Sequence, residues 1–189
     1  MLLYFMRHGV AIDPDAPQAP ERDVMRWLTR KGMRRSQLAA WGLRRLDVHP
    51  QRILTSPLLR ARQTAEIVAD VLGVADGSLV VTPALEPQRS QPSELWSELA
   101  RLPDRSVLCV GHSPYLEQLL AAALGSARPT LANFERNAVA MVDFAYGPGQ
   151  LGSLNWMMQA KTLRILGRRW LTPAGDRGAS AGASPTRSR

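Results

Sequence analysis

Short apolar runs that alternate with helix-length stretches constrain this chain more than any other feature. Leu2 to Met6 reads Leu-Leu-Tyr-Phe-Met, a strand buried on both faces, and it runs straight into Arg7-His8-Gly9, where the glycine lets the chain turn away. Arg52 to Thr55 is a second strand, followed at once by Ser56-Pro57. An N-cap serine with proline at the first helical position predicts a helix from Leu58 to Leu72, stopped by Gly73. Leu79-Val80-Val81 is a third strand, Pro83 to Pro92 a loop, and Ser93 to Leu102 a helix. Ser106 to Val110 is a fourth strand, and Gly111-His112 then leads into Ser113-Pro114, the same serine-proline helix start, with a helix through Leu124.

Between the first two strands lies a loop with Asp13, Pro14, Asp15, Pro17 and Pro20, a short helical turn within Arg22 to Leu28, and a helix from Met33 to Leu46. Ala138 to Phe144 and Leu151 to Gln159 are β-like and joined by Tyr146-Gly147-Pro148-Gly149-Gln150, which reads as a hairpin. Strands alternating with helices call for an α/β fold, a mostly parallel sheet with helices on both faces, to which the hairpin adds antiparallel strands.

At 189 residues and 45% hydrophobic, the chain is long enough for one core, and a single domain over residues 1–171 is expected. Residues 172–189 are Pro, Gly, Ala, Ser, Thr and Arg with hardly an apolar anchor, and are expected to form a disordered basic tail. The single cysteine, Cys109, sits in an apolar strand and reads as a buried structural thiol. No secretion signal and no run near the roughly 18 apolar residues of a membrane span is present, so a soluble cytoplasmic protein with no membrane partner is expected. The formal net charge is +8, and the stretch from Lys161 onward carries seven basic residues against Asp176 alone. That places most of the charge in the tail and makes nucleic acid an improbable partner. A second basic cluster, Arg30, Lys31, Arg34 and Arg35, belongs to the body.

Three strand ends share one chemical theme: Arg7-His8-Gly9, Ser56-Pro57 with Arg60 one turn on, and Gly111-His112. In a parallel sheet these ends lie along one edge, beside helix N-termini whose free N–H groups and dipole favour anions. Two arginines, two histidines and helix starts make a site for a dianion, with phosphate the obvious candidate. Arg62, spaced to pair with Glu66, points away around the helix, and His49 beside Pro50 is a surface histidine. Metal binding is disfavoured because the histidines are grouped with arginines and not with carboxylates. A serine triad is disfavoured because Ser56 and Ser113 serve as caps.

Arg7-His8-Gly9, the run from Ser56 to Ala65 (Ser-Pro-Leu-Leu-Arg-Ala-Arg-Gln-Thr-Ala) and Gly111-His112-Ser113 resemble the histidine phosphatase superfamily. The chain is similar to its short SixA-type phosphohistidine phosphatases. Arg26, Leu28, Thr29, Gly32 and the late Leu154-Asn155-Trp156 also match that group, and the resemblance covers about residues 1–166. It implies a phosphoglycerate mutase-like α/β/α sandwich and a metal-independent hydrolase without cofactor. His8 would be the nucleophile, forming a transient phosphohistidine. Arg7, Arg60 and His112 would hold the phosphoryl oxygens. Two positions depart from the pattern. Val10 stands where an acid is common, and the proton-donating carboxylate of larger members has only a loose counterpart in Glu86.

The short Pro83 to Pro92 connection implies an open, shallow site suited to a phosphohistidine-bearing partner protein, such as a phosphorelay component. Two other readings stand beside it: a small-molecule phosphomonoester phosphatase on the same fold, and a non-catalytic phosphate- or nucleic-acid-binding module using the tail.

Overall fold

In the computed structural model the described residues are 1–87, 90–128 and 132–171; the expected tail, 172–189, lies outside them. Six strands alternate with five α-helices. In chain order they are β1 (Leu2–Arg7), α1 (Arg30–Arg45), β2 (Arg52–Thr55), α2 (Leu59–Leu72), β3 (Leu79–Val81), α3 (Pro92–Leu99), β4 (Ser106–Gly111), α4 (Tyr115–Ala123), β5 (Val139–Asp143), β6 (Ser153–Met158) and α5 (Ala160–Leu171). Single 3₁₀ turns occupy Asp23–Met25 and Pro83–Leu85.

The strands form one sheet in the order β3-β2-β4-β1-β5-β6. β1 pairs parallel with β4, β4 with β2 and β2 with β3, whereas β5 runs antiparallel to both β1 and β6. The expected fold class is therefore the observed one, a single-domain α/β sandwich of the phosphoglycerate mutase-like kind.

Alternation along each central strand divides the core. Leu3, Phe5, Val107 and Cys109 face one side, where they pack with Leu95, Leu99, Leu116 and Leu119 of α3 and α4. Tyr4, Met6, Leu108 and Val110 face the other, against Ala39 and Leu43 of α1, Val68 and Val71 of α2 and Leu163 of α5. Both faces of β1 and β4 are covered, which is why these runs are continuously apolar and do not alternate with polar residues. Cys109 is fully buried and desolvation pushes its thiol pKa up, so it is an inert core residue.

Three local readings are corrected. Helix α1 begins at Arg30 and not Met33, because the Thr29 side chain accepts the Gly32 N–H at 2.9 Å and caps a turn that apolar periodicity does not reveal. Neither Ser56 nor Ser113 is an N-cap: α2 and α4 begin three and two residues later, at Leu59 and Tyr115, without side-chain caps. The basic residues Lys161, Arg164 and Arg168 are not part of a tail, since they lie on α5, whose Leu163 is in the core. Among the described residues no helix is long and apolar enough to cross a membrane.

Candidate active site

The parallel arrangement brings the ends of β1, β2 and β4 to one edge of the sheet, where Arg7 pairs with Gly111 and Thr55 with Val110. A cleft of about 590 Å³ opens there. Arg7, His8, Arg60 and His112 all line it, so residues spread over more than a hundred positions converge on one cavity. Glu86 lines it as well, on the wall made by the connection after β3, together with Pro87, Ser90 and Gln91. The described residues of that connection and the 3₁₀ turn carrying Asp23 wall the cleft. Arg62 is exposed and absent from the lining, and His49 is exposed beyond α1.

His8 and His112 are only 7% and 3% exposed, and their rings lie 4.8 Å apart between centroids, tilted by 51° to each other. His8 Nδ1 lies 2.7 Å from the Gly9 carbonyl, which can only accept, so Nδ1 carries the proton and Nε2 keeps its lone pair. Burial drives the pKa of His8 well below the ordinary histidine value; His112, Arg60 and Arg7 push the same way, and only the Gly9 carbonyl opposes them. The ring is therefore neutral at neutral pH. The Gly9 backbone is fixed in turn by a bond from its N–H to Thr64 Oγ1 (3.0 Å) on α2. Gly9 is needed here for space and not for an unusual turn: a Cβ would collide with the Ser36 hydroxyl, and its φ is not positive.

His112 is oriented from behind. Its Nε2 lies 2.9 Å from Ser56 Oγ, which also accepts the Leu58 N–H at 3.4 Å. The Ser56 hydroxyl has one hydrogen and a second lone pair, so it either donates to Nε2 or accepts from it; in the tautomer in which it donates, Nδ1 carries the proton. Nδ1 is buried with no protein acceptor, as is Nε of Arg7. Burial, followed by Arg60 and partly offset by Asp23, pushes the pKa of His112 down to about 3. In that tautomer two buried N–H donors, His112 Nδ1 and Arg7 Nε, stand beside the neutral His8, an arrangement that is costly unless an anion supplies the acceptors.

The two arginines are held differently. Arg7 Nη1 donates to Phe134 O at 2.6 Å; burial and then the charge of Arg136 lower its pKa, and Glu117, buried behind the cleft, offsets them in part. Glu117 Oε1 accepts from Ser113 Oγ (2.8 Å) and Phe134 N (3.1 Å), so the buried carboxylate ties the loop after β4 to the segment before β5. Arg60 donates end-on to Asp23, from Nη1 to the backbone oxygen (2.9 Å) and from Nη2 to Oδ2 (3.0 Å), while Arg26 takes Oδ1 at 2.8 Å. Burial by itself would raise the pKa of Asp23, but these bonds and charges outweigh it and hold the carboxyl below its ordinary value. Asp23 is accordingly an anion at neutral pH.

Ser56, Asp23, Glu117 and Arg136, the last of which lines the cleft beside Arg7, are the site residues that sequence reasoning missed. Ser56 was hidden by its resemblance to a cap, and nothing in local spacing marks the other three. Among the described residues, no three His, Cys, Asp or Glu side chains gather as metal ligands.

Residues 3–86 match the model of the histidine phosphatase superfamily (branch 1). The chain is 32% identical over 167 residues to phosphohistidine phosphatase SixA of Escherichia coli (strain K12), spanning 87% of this chain and 98% of that one. It is 46% identical over 119 residues to an uncharacterized protein of Picosynechococcus sp., covering 61% of this chain and 68% of the other. The solved structure of the protein histidine phosphatase SixA complexed with tungstate superposes with a TM-score of 0.74 at 31% identity, over 86% of this chain and 99% of that one. With the fold, the cleft and these likenesses in agreement, the chain belongs to the histidine phosphatase superfamily, among its short SixA-type members.

Proposed function

We propose that this protein is a phosphatase that removes the phosphoryl group from phosphohistidine on a partner protein, through a phosphohistidine formed on its own His8. Membership of the superfamily supports phosphatase activity. The observation that carries the finer reading is the tautomer of His8: Nδ1–H is tied to Gly9 O, which leaves a neutral Nε2 lone pair in a cleft lined by Arg7, Arg60 and His112. Nε2 attacks phosphorus, the P–N bond to the substrate imidazole breaks, and the electron pair leaves on that imidazole, which departs neutral because its other ring nitrogen carries a proton. Water then attacks phosphorus of phospho-His8, releasing phosphate and returning the lone pair to Nε2. Arg7 Nε–H and His112 Nδ1–H donate to the phosphoryl oxygens, and Arg60 adds positive charge where the transition state concentrates negative charge. Charge neutralisation by these groups needs no metal or cofactor. The tungstate complex described for SixA is consistent with such a pocket, since tungstate is an oxyanion of phosphate shape. A cytoplasmic setting completes the proposal.

The test is acid-sensitive trapping of labelled enzyme with His8→Ala as the control. Wild type is expected to yield an acid-labile phosphoenzyme. The variant should yield none and lose more than about 10³-fold in turnover. An equally active variant would overturn the mechanism.

A second reading, phosphomonoester hydrolysis, is favoured by one observation: Glu86 lines the same cleft and can protonate an alkoxide leaving group. Kinetics on phosphohistidine protein against a panel of phosphomonoesters, in wild type and Glu86→Gln, separate the two. Better turnover of monoesters, lost in Glu86→Gln, selects the second.

A further inference from the structure

We propose that the face where α1 meets α5 is a second anion-binding site, separate from the catalytic cleft, for a ligand that carries several phosphoryl groups close together. The sequence of α1 contains six cations and that of α5 four, and neither contains an acid. Two packed helices therefore carry more positive charge than the formal +8 of the whole chain. A solvated helix face ordinarily mixes signs at four-residue spacing, which this one does not.

Local physics opposes the arrangement twice. Arg30 and Lys31 open α1, where the helix dipole disfavours cations and no acid offsets them. The helices also cross at glycine: a Cβ on Gly42 would run into Leu163 O, and one on Gly167 into Leu38 O. Those contacts set α5 antiparallel to α1 and press the two backbones together. They bring Arg164 and Arg168 beside the first half of α1. Burial lowers the pKa of Arg164, Arg35 and Arg168 lower it further by repulsion, and Glu135 offsets them only in part. Like charges concentrated this way cost stability unless an anion offsets them, and such local conflict is characteristic of a binding surface.

The geometry is that of a hollow and not a stripe. Arg30, Lys31, Arg34, Arg35, Arg164 and Arg168 surround about 460 Å³, with Leu38 as the only other lining residue among those described. Among the described residues none of the six forms an ion pair. No residue is shared with the catalytic cleft. A compact hollow ringed by six cations calls for high negative charge in a small volume. Carboxylates supply one charge each, whereas linked phosphoryl groups supply more per atom and match the guanidinium fork. Free polyphosphate and the polyphosphate chain of a nucleotide share this chemistry.

The test is calorimetric titration of the full chain with inorganic tripolyphosphate, and in parallel with ATP. Proteins compared are wild type, Arg34→Gln/Arg164→Gln/Arg168→Gln, the single Arg168→Gln, and Arg60→Ala. Wild type and Arg60→Ala should bind tripolyphosphate. The triple variant should lose at least about tenfold in affinity, with Arg168→Gln intermediate, while hydrolysis of a small phosphoramidate stays within about twofold of wild type. That retained hydrolysis shows the variant is folded. Binding of both ligands points to a nucleotide source, and of tripolyphosphate alone to free polyphosphate; either supports the proposal. It is overturned if the triple variant binds like wild type, if Arg60→Ala abolishes binding, or if poly-glutamate or duplex DNA binds in preference.

Discussion

The catalytic cleft and the α1/α5 face both concentrate arginine, with opposite physical consequences. In the cleft Arg7, Arg26 and Arg60 each donate to protein acceptors, so their guanidinium groups are oriented before any ligand arrives. Between α1 and α5 the cations have no ion-pair partner among the described residues, and their orientation is left to solvent. Pre-oriented charge can stabilise a transition state because little reorganisation is needed during the reaction, whereas free charge can attract a ligand without directing chemistry. The contrast separates a place for bond breaking from a place for binding.

Removing one oriented charge tests this most severely. Arg60→Ala should lower kcat/KM by about 10²- to 10³-fold, read by steady-state hydrolysis of a phosphoramidate, since it removes a donor fixed at the cleft. A loss of less than tenfold would put Arg60 on a par with the surface cations and erase the distinction.

A smaller effect concerns stability against pH. His112 is held at about 3 and His8 also well below its ordinary value, so between roughly pH 3 and 6.5 the unfolded chain binds protons that the folded chain does not. Stability is then fully present above about pH 6.5 and falls as pH drops toward 3, by a few kcal/mol in total. Denaturant unfolding followed over pH should show this slope, and His112→Gln should flatten it. An unchanged slope in His112→Gln would break the link between the slope and the cleft.

The smallest effect sharpens the role of Asp23. Its carboxylate occupies the end-on edge of Arg60 and opposes an incoming anion, so Asp23→Asn should tighten tungstate binding by about two- to fivefold in a fluorescence titration. Weaker binding would instead make Asp23 the residue that positions Arg60.

The chain itself determined a good deal. Two-sided apolar runs, helix stops and the β-hairpin are written in neighbouring residues, because strand and helix periodicity and turn chemistry are local. The parallel sheet followed from strand–helix alternation, and with it the convergence of Arg7, His8, Arg60 and His112 on one edge. What only the tertiary structure decided depends on contacts between distant segments. Ser56 looks like a cap until β2 and β4 lie side by side and its hydroxyl meets His112, 56 positions away. Glu117 and Asp23 become parts of the site only when α4 and the turn at Asp23–Met25 are packed against the strand ends. The last basic stretch reads as a solvated tail until Leu163 enters the core and Gly42 and Gly167 let α5 press onto α1. A local pattern specifies an element, and the energy of burying one element against another decides which side chains meet.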